Sequence, residues 1–252
     1  MPTDLHFYLF AIPAVLLIGL AKGGFAGLGA LGTPLMALGI DDPVRAAAIL
    51  LPILLAQDVV GVAAFRKSWD GSVLLAMLPG AVVGIALGWL LAARISSDAV
   101  MAVLGAITVL FGGFRLWAER GGQIAAPSDS PGWVGSLFGV ATGFTSQIAH
   151  AGGPPFQMWV MPKRLPRDVL VGTSAIFFAM VNWIKVPAYL SLGQFTSANM
   201  AATAVLLPFA VLASLAGVKL VRRVSPERFY KIVYWLMIVA GGKLLLGGIG
   251  LA

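Results

Sequence analysis

Lys22-Gly23-Gly24 is followed by Gly27, Gly29, Gly32, Thr33 and Pro34, and a second stretch carries Thr142, Gly143, Thr145, Ser146, Gln147, His150, Gly152, Gly153, Pro154 and Pro155. Residues 19–34 (GLAKGGFAGLGALGTP) and 139–154 (GVATGFTSQIAHAGGP) align without a gap, each inside a hydrophobic segment that Gly and Pro interrupt. Such backbone can unwind, and Pro in a first helical turn is a start signal. Pro34 and Pro154 or Pro155 are therefore expected to begin half-helices. Free N–H groups and the positive dipole end at such a start favour an anion. Lys22 would add a full charge, and Thr33, Thr145, Ser146 and Gln147 neutral donors. His150 is a candidate for substrate or proton, and Gln157 on the short second half-helix is a candidate lining residue. With Gly23, Gly24, Gly32, Gly152 and Gly153, these residues form a candidate site for a compact oxyanion.

Each has a plainer reading. Glycines also permit close helix packing in membranes, Lys22 can snorkel to the interface, and His150 can be a hydrogen-bonded structural imidazole. Outside the breaks, Asp58 lies well inside a hydrophobic segment, preceded by Gln57. A carboxylate at membrane depth is expensive and is expected to be a proton site, a cation ligand or a partner for Lys22. Its plainer partner is Arg66, about two helical turns away. Asp58, His150 and Asn182 are the candidate coupling residues. Lys185 reads as a snorkelling residue near the outer side.

These candidates sit in a chain of 252 residues that is 59% hydrophobic and 11% charged, with mean hydropathy +0.94. A soluble globule has about a quarter of its residues charged, so the chain belongs in a bilayer, with lipid around it. The net charge of +7 forms no basic stripe interleaved with aromatics, so no nucleic-acid partner is expected. Without cysteine, and with two histidines, no metal site or cofactor is expected. The N-terminus lacks a basic n-region and reads as the first membrane segment.

Hydrophobic runs predict an all-α polytopic protein with ten segments, at 5–22, 25–40, 44–65, 73–94, 98–117, 133–149, 154–161, 168–190, 199–222 and 226–251. The second and seventh are short, so each is expected to form a broken or re-entrant hairpin with its predecessor, leaving eight to ten spanning segments. The polar linker at 121–131 separates a first repeat, 1–120, from a second, 132–252. The repeat continues beyond the opening match: residues 48–58 lie over 172–182, which pairs Asp58 with Asn182, and 79–96 over 208–225, with Pro79/Pro208 and Gly88/Gly217 identical. Five segments per half is odd, which implies inverted repeats. With both termini outside, Arg66, Lys67, Arg115, Arg120, Lys163, Arg164, Arg167, Arg222, Arg223, Arg228 and Lys231 collect on the cytoplasmic side, while Arg45 and Arg94 face out.

Hydrolase, zincin and nucleotide-binding signatures are missing, and Thr145-Ser146 with His150 on one stretch lacks an orienting acid, so no enzyme is expected. Interrupted helices in corresponding positions of two halves point instead to a secondary transporter. GLAKGGFAGLGALGTPLMALGI, ATGFTSQIAHAGGPPFQMWVM and DVLVGTSAIFFAMVNWIK resemble the repeated signature of the sulfite exporter TauE/SafE family. The resemblance implies a bacterial inner-membrane transporter exporting sulfite or small organosulfonates such as sulfoacetate. Its glycine- and proline-rich segments fall on 23–34 and 143–155. Phe25, Phe144, Phe156 or Trp159 would hold a short carbon tail. The alternatives are a cation or metal carrier using Asp58, Asn182 and Gln57, and an anion channel. The oligomeric state stays open, a homodimer included.

Overall fold

The computed structural model describes residues 5–22, 28–40, 42–92, 94, 96–118, 130–220 and 227–250. Gly23, Gly24 and Phe25, and most of the linker, lie outside the described residues. The architecture is all-α. The first half runs α1 (Leu5–Lys22), a 3₁₀ turn (Leu28–Leu31), α2 (Gly32–Ile40), α3 (Pro43–Phe65), α4 (Gly71–Ala92) and α5 (Ser97–Ala118). The second runs α6 (Gly132–Ala149), α7 (Gly153–Val160), a 3₁₀ turn (Met161–Lys163), α8 (Arg167–Ser191), α9 (Ser197–Leu220) and α10 (Glu227–Gly248). Among the described residues, six helices (α1, α3, α4, α5, α8 and α9) are long and apolar enough to cross a membrane. At 9 and 8 residues, α2 and α7 reach about halfway through a hydrocarbon core of about 30 Å.

Local sequence sets the helix starts. Pro43 opens α3, and the Asp42 carboxylate accepts from the Val44 and Arg45 N–H groups at 3.0 Å each. Asp70 precedes α4 in the same manner, accepting from the Ser72 hydroxyl at 2.6 Å and the Ser72 N–H at 2.8 Å. The Ser72 hydroxyl is the main reason its carboxyl titrates below the usual range. The half-helices start at Gly32 and Gly153, so Pro34, Pro154 and Pro155 all fall in first turns.

Packing across the halves is reciprocal: α1 lies on α9, α6 on α4, α3 on α8 and α5 on α10. Small residues make the crossings. A Cβ on Gly84 would stand 2.1 Å from the Val140 carbonyl oxygen, and one on Gly143 2.1 Å from that of Ala81, so α4 and α6 touch backbone to backbone. Gly19 and Gly139, matched in the aligned stretches, each press against the fourth helix of the other half, at Ala213 on α9 and Met77 on α4. The cation-rich ends also gather: the Asp70 N–H donates to Thr173 Oγ1 at 2.8 Å, tying the α3–α4 turn to the start of α8. Arg115 of α5 reaches Met161 Sδ at 3.2 Å. Arg45 bonds Asn199 (3.2 Å) at the opposite end of α3.

This close crossing predicts that Gly84→Val destabilises the fold by about 1–3 kcal/mol or more, through overpacking against a backbone that cannot withdraw. Gly113→Ala, where a Cβ meets nothing within 4 Å, is expected to leave thermal unfolding in detergent unchanged.

Candidate functional site

Between the end of α1, the start of α2, the α6–α7 junction and the first half of α8 lies a cavity of about 180 Å³. Lys22, Thr33, Ser146, His150, Asn182 and Gln157 form its polar wall, and Ile18, Leu54, Phe156, Leu170 and Phe178 its apolar wall. It reaches the exposed Met161 and Arg167 at the cation-rich end of the bundle.

Asp58 anchors the polar wall. Its Oδ1 pairs with the Lys22 ammonium, and its Oδ2 accepts from Asn182 Nδ2 at 2.6 Å. The carboxylate is buried, and the Lys22 side chain is 13% exposed, so this lysine does not reach out to an interface. Phe178 flanks the ammonium, 5.6 Å from its ring centroid. One network therefore joins α1, α3 and α8. Asp58 and Asn182, which the alignment of the two sequence stretches pairs, touch each other. Arg66 plays no part in the pairing.

Behind Ser146 and His150 stands Lys185, fully buried. Its ammonium contacts the Ser146 carbonyl oxygen at 3.2 Å, Ser146 Oγ at 3.1 Å and His150 Nδ1 at 2.7 Å. His150 Nε2 lies 2.8 Å from the Ala47 carbonyl oxygen, which can only accept. The imidazole proton is thus on Nε2, and Nδ1 takes the lysine's hydrogen bond. The ring stacks on Tyr189 at 5.9 Å between centroids. His150 has φ 52°, in the left-handed region, where it terminates α6 and turns the chain toward α7. Among the described residues the one ion pair is Lys22–Asp58, so Lys185 has no carboxylate partner there.

The sequence candidates separate by position. Lys22, Thr33, Ser146, His150, Gly153, Gln157 and Asn182 line the cavity. Gln147 does not: it faces a second, smaller cavity beyond His150. Thr145 bonds to the Ala141 carbonyl oxygen of its own helix at 2.7 Å. Gly32 and Gly152 serve packing, since a Cβ would meet Ile18 Cγ1 at 2.2 Å and the Thr142 oxygen at 2.8 Å, whereas one on Gly153 would make only ordinary contact, with Gln157 Nε2 at 4.0 Å. The half-helix starts also offer fewer donors than expected. Pro34, Pro154 and Pro155 carry no N–H, and Phe156 N–H already bonds the Gly152 oxygen at 3.3 Å, which leaves Gly32, Thr33 and Gly153. Gln57 is structural through its amide, which donates to the Ala210 oxygen at 3.2 Å. Of the residues suggested for a carbon tail, Phe156 lines the cavity, while buried Trp159 donates to Ser130 Oγ at 2.9 Å. Lys185 corrects the snorkelling expectation. A basic residue six positions from Ser191, the end of α8, and three from Asn182, was the signal in the sequence that could have found it.

Removing Asp58 alone leaves a half-buried ammonium and Asn182 without their acceptor. Asp58→Ala is therefore expected to cost about 3–5 kcal/mol of stability. Lys22→Met/Asp58→Leu should cost clearly less than the sum of its single variants, measured by unfolding in detergent as a double-mutant cycle.

Comparison with known proteins places this geometry. The family model for the sulfite exporter TauE/SafE matches residues 11–244. A probable sulfite/organosulfonate exporter, TauE, of Cupriavidus necator is 24% identical over 217 residues, covering 84% of this chain and 82% of that protein. No solved structure matches the chain. The matched region takes in both interrupted segments and every residue of the cavity wall, and the chain belongs to the sulfite exporter TauE/SafE family.

Proposed function

We propose that the protein is a secondary transporter that exports a small sulfur oxyanion, sulfite or a two-carbon organosulfonate such as sulfoacetate, by alternating access. The observation that carries this reading is the cavity itself, lined both by a lysine ammonium, hydroxyl groups and amides and by the apolar side chains of Phe156, Phe178 and Leu170. Sulfonate oxygens accept hydrogen bonds from such donors as phosphate oxygens do. A water fills about 10–15 Å³ of such space, so the cavity has room for a sulfonate head and a short carbon tail against the phenyl rings. Its protein groups supply binding and orientation.

Asp58 pairs with Lys22. An entering oxyanion competes for that ammonium and leaves Asp58 to Asn182. A proton taken up by Asp58 at that moment offsets one unit of the incoming negative charge, which would couple one proton to each anion moved. The same arrangement disfavours the cation carrier, because both Asp58 oxygens already accept hydrogen bonds and Lys22 beside them repels a cation.

The reciprocal packing and the Asp58–Asn182 contact support reading residues 1–120 and 132–252 as inverted repeats joined by a cytoplasmic linker at 121–131. By the positive-inside rule, the end bearing Arg66, Lys67, Lys163, Arg164 and Arg167 is cytoplasmic, both termini are outside, and the cavity is open inward in the bacterial inner membrane.

Reconstituted protein is expected to give saturable flux of labelled sulfite or sulfoacetate under a pH gradient. Lys22→Met should reduce it about tenfold or more, the scale of one charge-assisted hydrogen bond. Gln147→Ala, outside the cavity, should leave the apparent affinity unchanged. Wild-type flux no greater than that of empty liposomes for both anions would reject the substrate assignment.

A further inference from the structure

The second cavity, about 70 Å³, is lined by Val44 and Ala47 at the start of α3, Gln147 and Ile148, and Tyr189, Leu192 and Gln194 at the end of α8. The first reaches the start of α8, at Arg167 and Leu170. The two spaces therefore lie toward opposite ends of α8, and what separates them is one layer of side chains. His150 faces the first cavity and bonds the Ala47 carbonyl, whose residue lines the second. Tyr189 lines the second, stacks on His150, and donates to the Gln147 carbonyl oxygen at 2.9 Å. Lys185 lines neither cavity and sits inside this layer, with all three contacts to Ser146 and His150.

Two further features suit a passage. Gln147 lines the small cavity, and among the described residues its buried Oε1 has no hydrogen-bond partner. The layer also hangs on a left-handed residue at the end of α6, where the chain breaks before α7. Rotating the His150 side chain releases Ala47, Lys185 and Tyr189 together.

We infer that Lys185 is a transfer site in the wall between the two cavities, taking the oxyanion head of the transported molecule as it passes from the Lys22 cavity to the Gln147 cavity, with His150 and Tyr189 as the gate. This rests on the transporter reading above. A buried lysine nitrogen whose direct partners are a carbonyl, a hydroxyl and an imidazole has no carboxylate within hydrogen-bond reach among the described residues, and a passing anion supplies that partner. Lys22 differs: Asp58 already neutralises it, so it captures an anion by exchange. Capture and transfer are thereby assigned to different lysines.

The chain has no cysteine, so single cysteines report access without background. Ser174→Cys, in the first cavity, should react with an impermeant cationic thiol reagent only from the end bearing Lys163, and Gln194→Cys only from the other, in vesicles of opposite orientation. Lys185→Met should bind sulfoacetate within about threefold of wild type and transport it about tenfold or more slowly, while Lys22→Met loses binding. Lys185→Gln, which keeps a donor for Ser146, should behave as Lys185→Met and guards against misfolding of one variant. Labelling of both cysteines from one face, wild-type turnover in either Lys185 variant, or loss of binding in both would overturn the transfer site. If the wild type moves neither sulfite nor sulfoacetate, the substrate assignment falls. The labelling arm then decides the passage alone: reaction from opposite faces supports it, and reaction from one face overturns it.

Discussion

A carboxylate at membrane depth has no water to solvate it, so it must collect its donors from the protein, and Asp58 collects them from two other helices. Lys22 closes the end of α1 and Asn182 the middle of α8, so a single side chain fixes the mutual position of three helices from both halves. The pieces that line the cavity are arranged around this knot. α2 and α7 reach only partway across and leave their starts facing it, and α6 ends at His150 just beside it. Breaking the knot would free both the Lys22 ammonium and the helices that shape the space around it.

Packing without a hydrophobic driving force explains the remaining architecture. Lipid tails are as apolar as leucine, so helices associate by close van der Waals contact, and small residues allow it. Gly84 and Gly143 bring α4 and α6 into backbone contact, and Gly105 and Gly241 do the same for α5 and α10. Such contacts are rigid because nothing in them can give. The polar layer of Ser146, His150, Lys185 and Tyr189 is held differently, by directional bonds from side chains that can rotate. A rigid scaffold around a layer of switchable hydrogen bonds is what alternating exposure of one site needs.

The two lysines show how location divides labour between identical groups. Lys22 is held by a carboxylate and faces open space, whereas Lys185 is enclosed with neutral partners. An ion pair and an unmatched buried amine respond differently to an approaching anion: the first must exchange partners, the second gains one. That contrast is electrostatic and depends on which groups the fold brings within about 3–4 Å of each nitrogen.

Much of this protein was legible in its residues. Composition determined the bilayer environment, because too few charged groups exist to cover a soluble surface. Hydrophobic run lengths determined an all-helical chain with two half-length helices. The paired Gly/Pro stretches located the interruptions, and the depth of Asp58 marked it as a functional carboxylate with Lys22 and Arg66 both open as partners, of which the fold chose Lys22. What the residues alone left undecided were directions in space. Gln147 and Ser146 are neighbours in sequence, yet they face opposite cavities, because successive side chains on a helix point about 100° apart and only the neighbouring helices say which direction is a wall. Gly152 and Gly153 look alike in sequence, but one presses on Thr142 and the other opens on the cavity. Lys185 reads as an interfacial lysine by its place in the chain. Only the tertiary structure, by bringing the end of α6 against α8, places its amine against Ser146 and His150, and burial is a property of neighbours distant in sequence.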